Sequence, residues 1–133
     1  MLVVPPQARL SKIDTALVAW NGRREAARAV CDALPLLQRA NRVILLVVMG
    51  GKGLWQHGDG ELVRWLGTHG VQASLVVEEP SSVAGCLLQK ALQVSADLLV
   101  AGGYGHSRIG ELMTGGTTRT LLRNTPVPLL ISH

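Results

Sequence analysis

The run Asp97-Leu98-Leu99-Val100-Ala101-Gly102-Gly103-Tyr104-Gly105, with Gly115-Gly116-Thr117-Thr118 after it, decides how the chain is read. A short apolar run ends in glycines, and a second glycine pair precedes Leu121-Leu122. The order is therefore strand, glycine loop, helix start. Without a Cβ the backbone can take positive φ and bring its N–H groups close to an anion. A helix N-terminus adds orphan N–H donors and the positive end of its dipole, so phosphate is a natural ligand for such a loop. The same glycines also suit a plain tight connection, and their spacing alone does not separate the two readings.

Around that stretch, 133 residues with 47% hydrophobic and 17% charged content can bury one core and read as a single soluble domain. Phenylalanine is absent, so an aliphatic core is expected, which suits buried parallel strands flanked by helices. No apolar run reaches the roughly 18–20 residues of a membrane span, and the N-terminus lacks the basic start of a signal peptide. A cytoplasmic location is expected. Cys31 and Cys86 stand far apart without metal-ligand or redox spacing and read as buried thiols of helices. The formal charge of +4 raises the question of nucleic acid. However, Arg9, Lys12, Arg23, Arg24, Arg28, Arg39 and Arg42 are spread over a tail, a helix and a turn without interleaved aromatics, which reads as a solvated surface.

In chain order, Met1 to Pro6 is an apolar fragment closed by two prolines, with no obvious partner within the domain. Residues 1–14 read as a tail or linker, either the remnant of a preceding domain, whose Leu2-Val3-Val4 strand could compete for an exposed edge or remain disordered, or an ordinary frayed terminus. Residues 15–133 form the domain. Thr15 to Trp20 is its first strand, ending at Asn21-Gly22. Ala26, Ala29, Val30, Ala33, Leu34 and Leu37 then share one helix face, with a kink or early stop expected at Pro35. Val43 to Met49 is a strand buried on both faces. Gly50-Gly51-Lys52-Gly53 lacks the spacing of a phosphate loop and reads as a flexible connection. A short helix from Asp59 or Gly60, limited by Gly67 and Gly70, leads to a third strand over Val71 to Val77. Ser81-Ser82 starts a helix carrying Ala84, Leu87, Leu88, Ala91 and Val94. The fourth strand follows Asp97, a helix spans about Thr117 to Arg123, and Val127 to Ser132 is a fifth strand that Pro126 and Pro128 assign to an edge or begin. Strand and helix alternating in this way give an α/β fold, an open five-stranded parallel sheet, doubly wound, with helices on both faces.

Gly102-x2-Gly105-x9-Gly115 resembles the nucleotide-binding signature of the universal stress protein family, and the flanking strands resemble that family's fourth and last strands. The similarity runs from Thr15 to the C-terminus. It implies a Rossmann-like strand order 3-2-1-4-5, with a crevice between strands one and four, and ATP or AMP as ligand. By the same resemblance, Asn21 and the backbone of Val48 meet the adenine side, and Ala19 and Trp20 beside Asn21 are counted with the cofactor-binding residues. Gly102, Gly103, Gly105, His106, Ser107, Gly115, Gly116 and Thr117 hold ribose and phosphates. Two positions depart from the family pattern. Gly116 stands where a hydroxyl residue is preferred, and Asn21 replaces an aspartate, which removes a charge that could help hold magnesium. The resemblance further implies a stress-response regulator and a homodimer pairing fifth strands through Val127 to Ser132.

No Ser/His/Asp arrangement, His-x-x-x-His ligand pair or paired carboxylates stand near the loop, so no catalytic residue is assigned and at most a slow ATPase is expected. The alternative from another class is a structural or interaction domain that keeps the fold without the nucleotide.

Overall fold

The computed structural model describes residues 1–48, 59–103 and 116–132. The apolar runs become strands: β1 (Leu2–Val3), β2 (Thr15–Trp20), β3 (Arg42–Val48), β4 (Ala73–Glu78), β5 (Leu98–Gly102) and β6 (Leu129–Ser132). The amphipathic stretches become helices: α1 (Arg24–Leu37), α2 (Asp59–Thr68), α3 (Val83–Gln93) and α4 (Thr117–Asn124). In the sheet the order is β1-β6-β5-β2-β3-β4. The five strands from β2 to β6 are parallel and stand in the expected order 3-2-1-4-5.

Alternation along each strand divides the core into two layers. Ala16, Val18, Trp20, Val43, Leu45, Val47, Leu98 and Val100 belong to one layer, with Ala26, Ala29, Val30, Ala33 and Leu37 of α1 and Leu62 and Leu66 of α2. Leu17, Ile44, Leu46, Val48, Leu99, Ala101, Leu129 and Ile131 belong to the other, with Ala84, Leu87 and Ala91 of α3 and Leu121 of α4. Leu17, Leu45, Leu46, Leu98 and Leu99 are fully buried, each contributing about 1.5–3 kcal/mol. Helix ends follow local rules. The Ser82 hydroxyl caps α3 by accepting from Gly85 N–H at 3.2 Å. After α2, Gly70 takes φ +78° while Val71 N–H returns to Leu66 O at 2.9 Å.

Five expectations are corrected. The sheet is mixed and six-stranded, because β1 pairs antiparallel with β6, Leu2 opposite Leu130 and Val3 opposite Leu129. Met1 to Pro6 therefore has a partner within the domain, and Leu129 to Ser132 forms an interior strand, buried at all four residues. Helix α1 does not stop at Pro35 but runs two residues past it; Pro35 is exposed and forgoes only its own N–H bond to the carbonyl four residues back. Cys31 is exposed, since its position on α1 falls outside the buried stripe that includes Val30 and Ala33; Cys86 is half-buried.

At the N-terminal ends of the strands, Asp97 Oδ2 accepts from the N–H groups of Asp14 (2.9 Å) and Thr15 (3.0 Å). Asp97 N–H donates to Thr15 O at 2.7 Å, and Arg42 N–H to Asp14 O at 2.8 Å, so backbone bonds tie the starts of β2, β3 and β5 together and the carboxylate adds two bonds to the start of β2. Asp97→Ala leaves two donors, one on the buried Thr15, without that acceptor. It is expected to cost about 1–3 kcal/mol in urea unfolding.

Candidate functional site

Strand β2 lies between β3 on one side and β5 on the other, so the winding direction reverses between β2 and β5. In open parallel sheets this reversal leaves room for a ligand beyond the C-terminal strand ends. Six of the residues singled out in the sequence gather at that end of three adjacent strands. Ala19 and Trp20 close β2 and Asn21 follows, Val48 closes β3, and Gly102 closes β5 with Gly103 next. Gly116 and Thr117 open α4 and are exposed. Gly105, His106, Ser107 and Gly115 lie outside the described residues, as do Tyr104, Arg108 and the Gly50 to Gly53 cluster.

The geometry assigns particular tasks to several of these residues. A Cβ on Gly102 would stand 2.6 Å from Ala26 N and 2.7 Å from Glu25 C, so the absence of a side chain lets the first turn of α1 rest on the end of β5. A Cβ on Gly103 would meet Ile131 Cδ1 and Cγ1 at 2.8 Å and Thr118 Cγ2 at 3.5 Å, which brings β6 and the first turn of α4 to the same point. Gly103 N–H donates to Ser132 O at 2.7 Å. Thus α1, α4, β5 and β6 converge on two glycines. Sequence reasoning missed Ala26, Thr118 and Ile131 as their neighbours, since only the helix crossing reveals which way each missing Cβ would point.

Asn21 Oδ1 accepts from Arg23 N–H at 3.0 Å, a local turn that leads into α1 and occupies one acceptor of the side chain. Neither α1 nor α4 carries a side-chain cap at its N-terminus. Trp20 is 8% exposed, and its indole N–H has no hydrogen-bond partner among the described residues. A buried donor without an acceptor is unfavourable by about 1–3 kcal/mol, so its presence at this strand end is notable. Among the described residues no group of three His, Cys, Asp or Glu side chains could hold a metal ion. Burial, and secondly the Glu78 carboxylate, push the Cys86 thiol above its ordinary value against the opposing charge of Lys90, which disfavours the thiolate a nucleophile requires. Among the described residues no helix is long and apolar enough to cross a membrane.

No family model matches the chain. Over 34 residues it is 53% identical to a universal stress protein of Synechocystis sp., a match spanning 26% of this chain and 12% of that protein. The sequence thus aligns with only a small part of that relative's length. Among solved structures, a universal stress protein in complex with cAMP superimposes with a TM-score of 0.64 at 22% identity, covering 92% of this chain and 99% of the other. A universal stress protein from Archaeoglobus fulgidus gives 0.70 at 20% identity, over 90% of this chain and 43% of its own length. One from Lactobacillus plantarum gives 0.61 at 16%, over 92% and 99%. The fold is that of the universal stress proteins, UspA-like.

Proposed function

We propose that this chain, which has the universal stress protein fold, binds an adenine nucleotide, ATP or AMP, at the C-terminal ends of β2 and β5. In this reading it acts as a cytoplasmic stress-response regulator. The observation that carries the reading is the gathering of Ala19, Trp20, Asn21, Val48, Gly102 and Gly103 at the switch point, with the uncapped start of α4 beside them. The buried Trp20 N–H is a donor suited to a ligand acceptor, and the start of α4 is suited to an anion. That a protein of the same fold was solved with cAMP supports a nucleotide as the ligand class.

In this reading Ala19 to Asn21 and Val48 meet the base, while the backbone of Gly105, His106, Ser107, Gly115, Gly116 and Thr117 meets ribose and phosphates. Gly102 and Gly103 act by bringing helices to the site. Asn21 is neutral and Arg23 adjoins it, a combination that favours an anion over a metal ion, so magnesium is not assigned. Residues 15–133 correspond to one universal stress domain, and a tandem protein is a natural setting for it. A homodimer that pairs β6 strands requires β1 to leave the edge it covers. The protein is a binding protein rather than an enzyme; a slow ATPase remains a third reading, checked by phosphate release over days.

Titration calorimetry with ATP, ADP, AMP and cAMP tests the proposal: saturable one-site binding of at least one supports it, and no binding of any at millimolar concentration removes it. That second result would favour the interaction-domain reading, for which one observation already speaks: packing alone accounts for Gly102 and Gly103. Gly116→Ser supplies the hydroxyl that the family signature prefers and is expected to tighten ATP by at most about 1 kcal/mol in the same calorimeter.

A further inference from the structure

Trp20 closes β2 and is buried in the core layer covered by α1 and α2. The other buried members of that layer are hydrocarbon side chains of Ile, Ala, Val and Leu, which carry no acceptor, and the indole N–H has no hydrogen-bond partner among the described residues. A donor buried in this way loses its hydrogen bond to water and gains none in return. An acceptor brought in by a ligand relieves it.

The position of the donor narrows what that acceptor is. Trp20 stands opposite Val47 in the register of β2 and β3, one residue before Val48 ends β3, so it lies at the switch-point end of the sheet. Helix α4 begins at that same end, where Thr118 approaches Gly103, but it packs through Leu121 in the opposite layer, with α3. The uncapped start of α4 and the indole therefore belong to opposite faces of the sheet. A nucleotide whose phosphate sits at the start of α4 must cross the strand ends to reach Trp20, and the part that arrives there is its base. Charge selects the same part. A phosphate oxygen would carry charge into an apolar layer at a large desolvation cost, whereas a ring nitrogen is a neutral acceptor on a flat, largely apolar body.

We infer that the Trp20 indole N–H reads the base, donating to a ring nitrogen of the purine. The inference rests on the nucleotide reading above and names the residue, and the class of base atom, through which that site recognises its ligand. Trp20 is thereby a specificity-determining residue. A base with C–H in place of that nitrogen leaves a buried donor unpaired, the circumstance in which a site rejects an analogue most strongly. Asn21 discriminates less, because it is exposed and keeps water as an alternative partner, and its Oδ1 already accepts from Arg23 N–H.

Calorimetry with AMP and with its monodeaza analogues, each of which replaces one acceptor nitrogen of the ring system by C–H, tests this on the parent and on Trp20→Phe. One analogue is expected to bind the parent roughly tenfold or more weakly than AMP. In Trp20→Phe, which keeps an aromatic ring without the donor, AMP and that analogue are expected to bind alike. A second readout needs no substitution: in the parent, the Trp20 indole proton resonance moves downfield on saturation with AMP and does not with that analogue. Analogues that all bind like AMP, a loss that persists in Trp20→Phe, or an indole resonance indifferent to AMP overturns the base-reading role and leaves nucleotide binding in place. No binding of AMP at millimolar concentration overturns the inference, and if ATP, ADP and cAMP fail as well, the nucleotide reading falls with it.

Discussion

Gly102→Val is expected to destabilise the fold by about 3 kcal/mol, read as a lower midpoint of urea unfolding with an unchanged slope. The first added carbon would stand 2.6 Å from Ala26 N and 2.7 Å from Glu25 C, and these are backbone atoms of α1 that no rotamer change can move aside. Relief requires α1 to shift off the sheet, and α1 supplies Ala26, Ala29, Val30, Ala33 and Leu37 to one core layer. A variant as stable as the parent would mean that the α1 contact with β5 is looser than the structure shows. Gly103→Ala is the milder companion, because its nearest neighbours at 2.8 Å belong to the Ile131 side chain, which can rotate.

Gly105→Val is expected to act in the opposite way, leaving stability near that of the parent and weakening nucleotide binding roughly 100-fold or more. The argument here comes from the signature Gly102-x2-Gly105-x9-Gly115, in which a side chain at Gly105 would occupy the space that phosphates need. Calorimetry on the two variants separates the roles of neighbouring glycines. Equal affinity in Gly105→Val and the parent would remove the phosphate role from the loop.

Much of the fold was legible because its strands are apolar runs with abrupt ends. Strand β2 occupies Thr15–Trp20 as read, bounded by Asp14 and by Asn21-Gly22, and the alternation of strands and helices was enough for the doubly wound layers. What escaped depends on contacts between distant parts of the chain. Leu2-Val3-Val4 reads as a strand fragment able to take an exposed edge or stay free, since so short a run carries no periodicity; pairing with Leu129 and Leu130 selects the first and turns a fifth strand expected at the edge into an interior one. The candidate site was legible as a strand end followed by glycines. The reason for two of those glycines was not, because the direction of a missing Cβ is fixed by where α1 and Ile131 pass.

The most direct measurement of the central claim is a nuclear magnetic resonance titration of the labelled protein with AMP, following backbone amides. The account predicts saturable shifts concentrated at Ala19 to Gly22, Val48, Gly102, Gly103 and Gly116 to Thr118, at the C-terminal ends of the strands. A cavity of about 260 Å³ lies by the N-terminal ends of β3 and β4, lined by Leu37, Asn41, Gly70 and Val71 among others. Shifts gathered there, or none anywhere at saturating AMP and ATP, would contradict nucleotide binding at the β2 and β5 switch point.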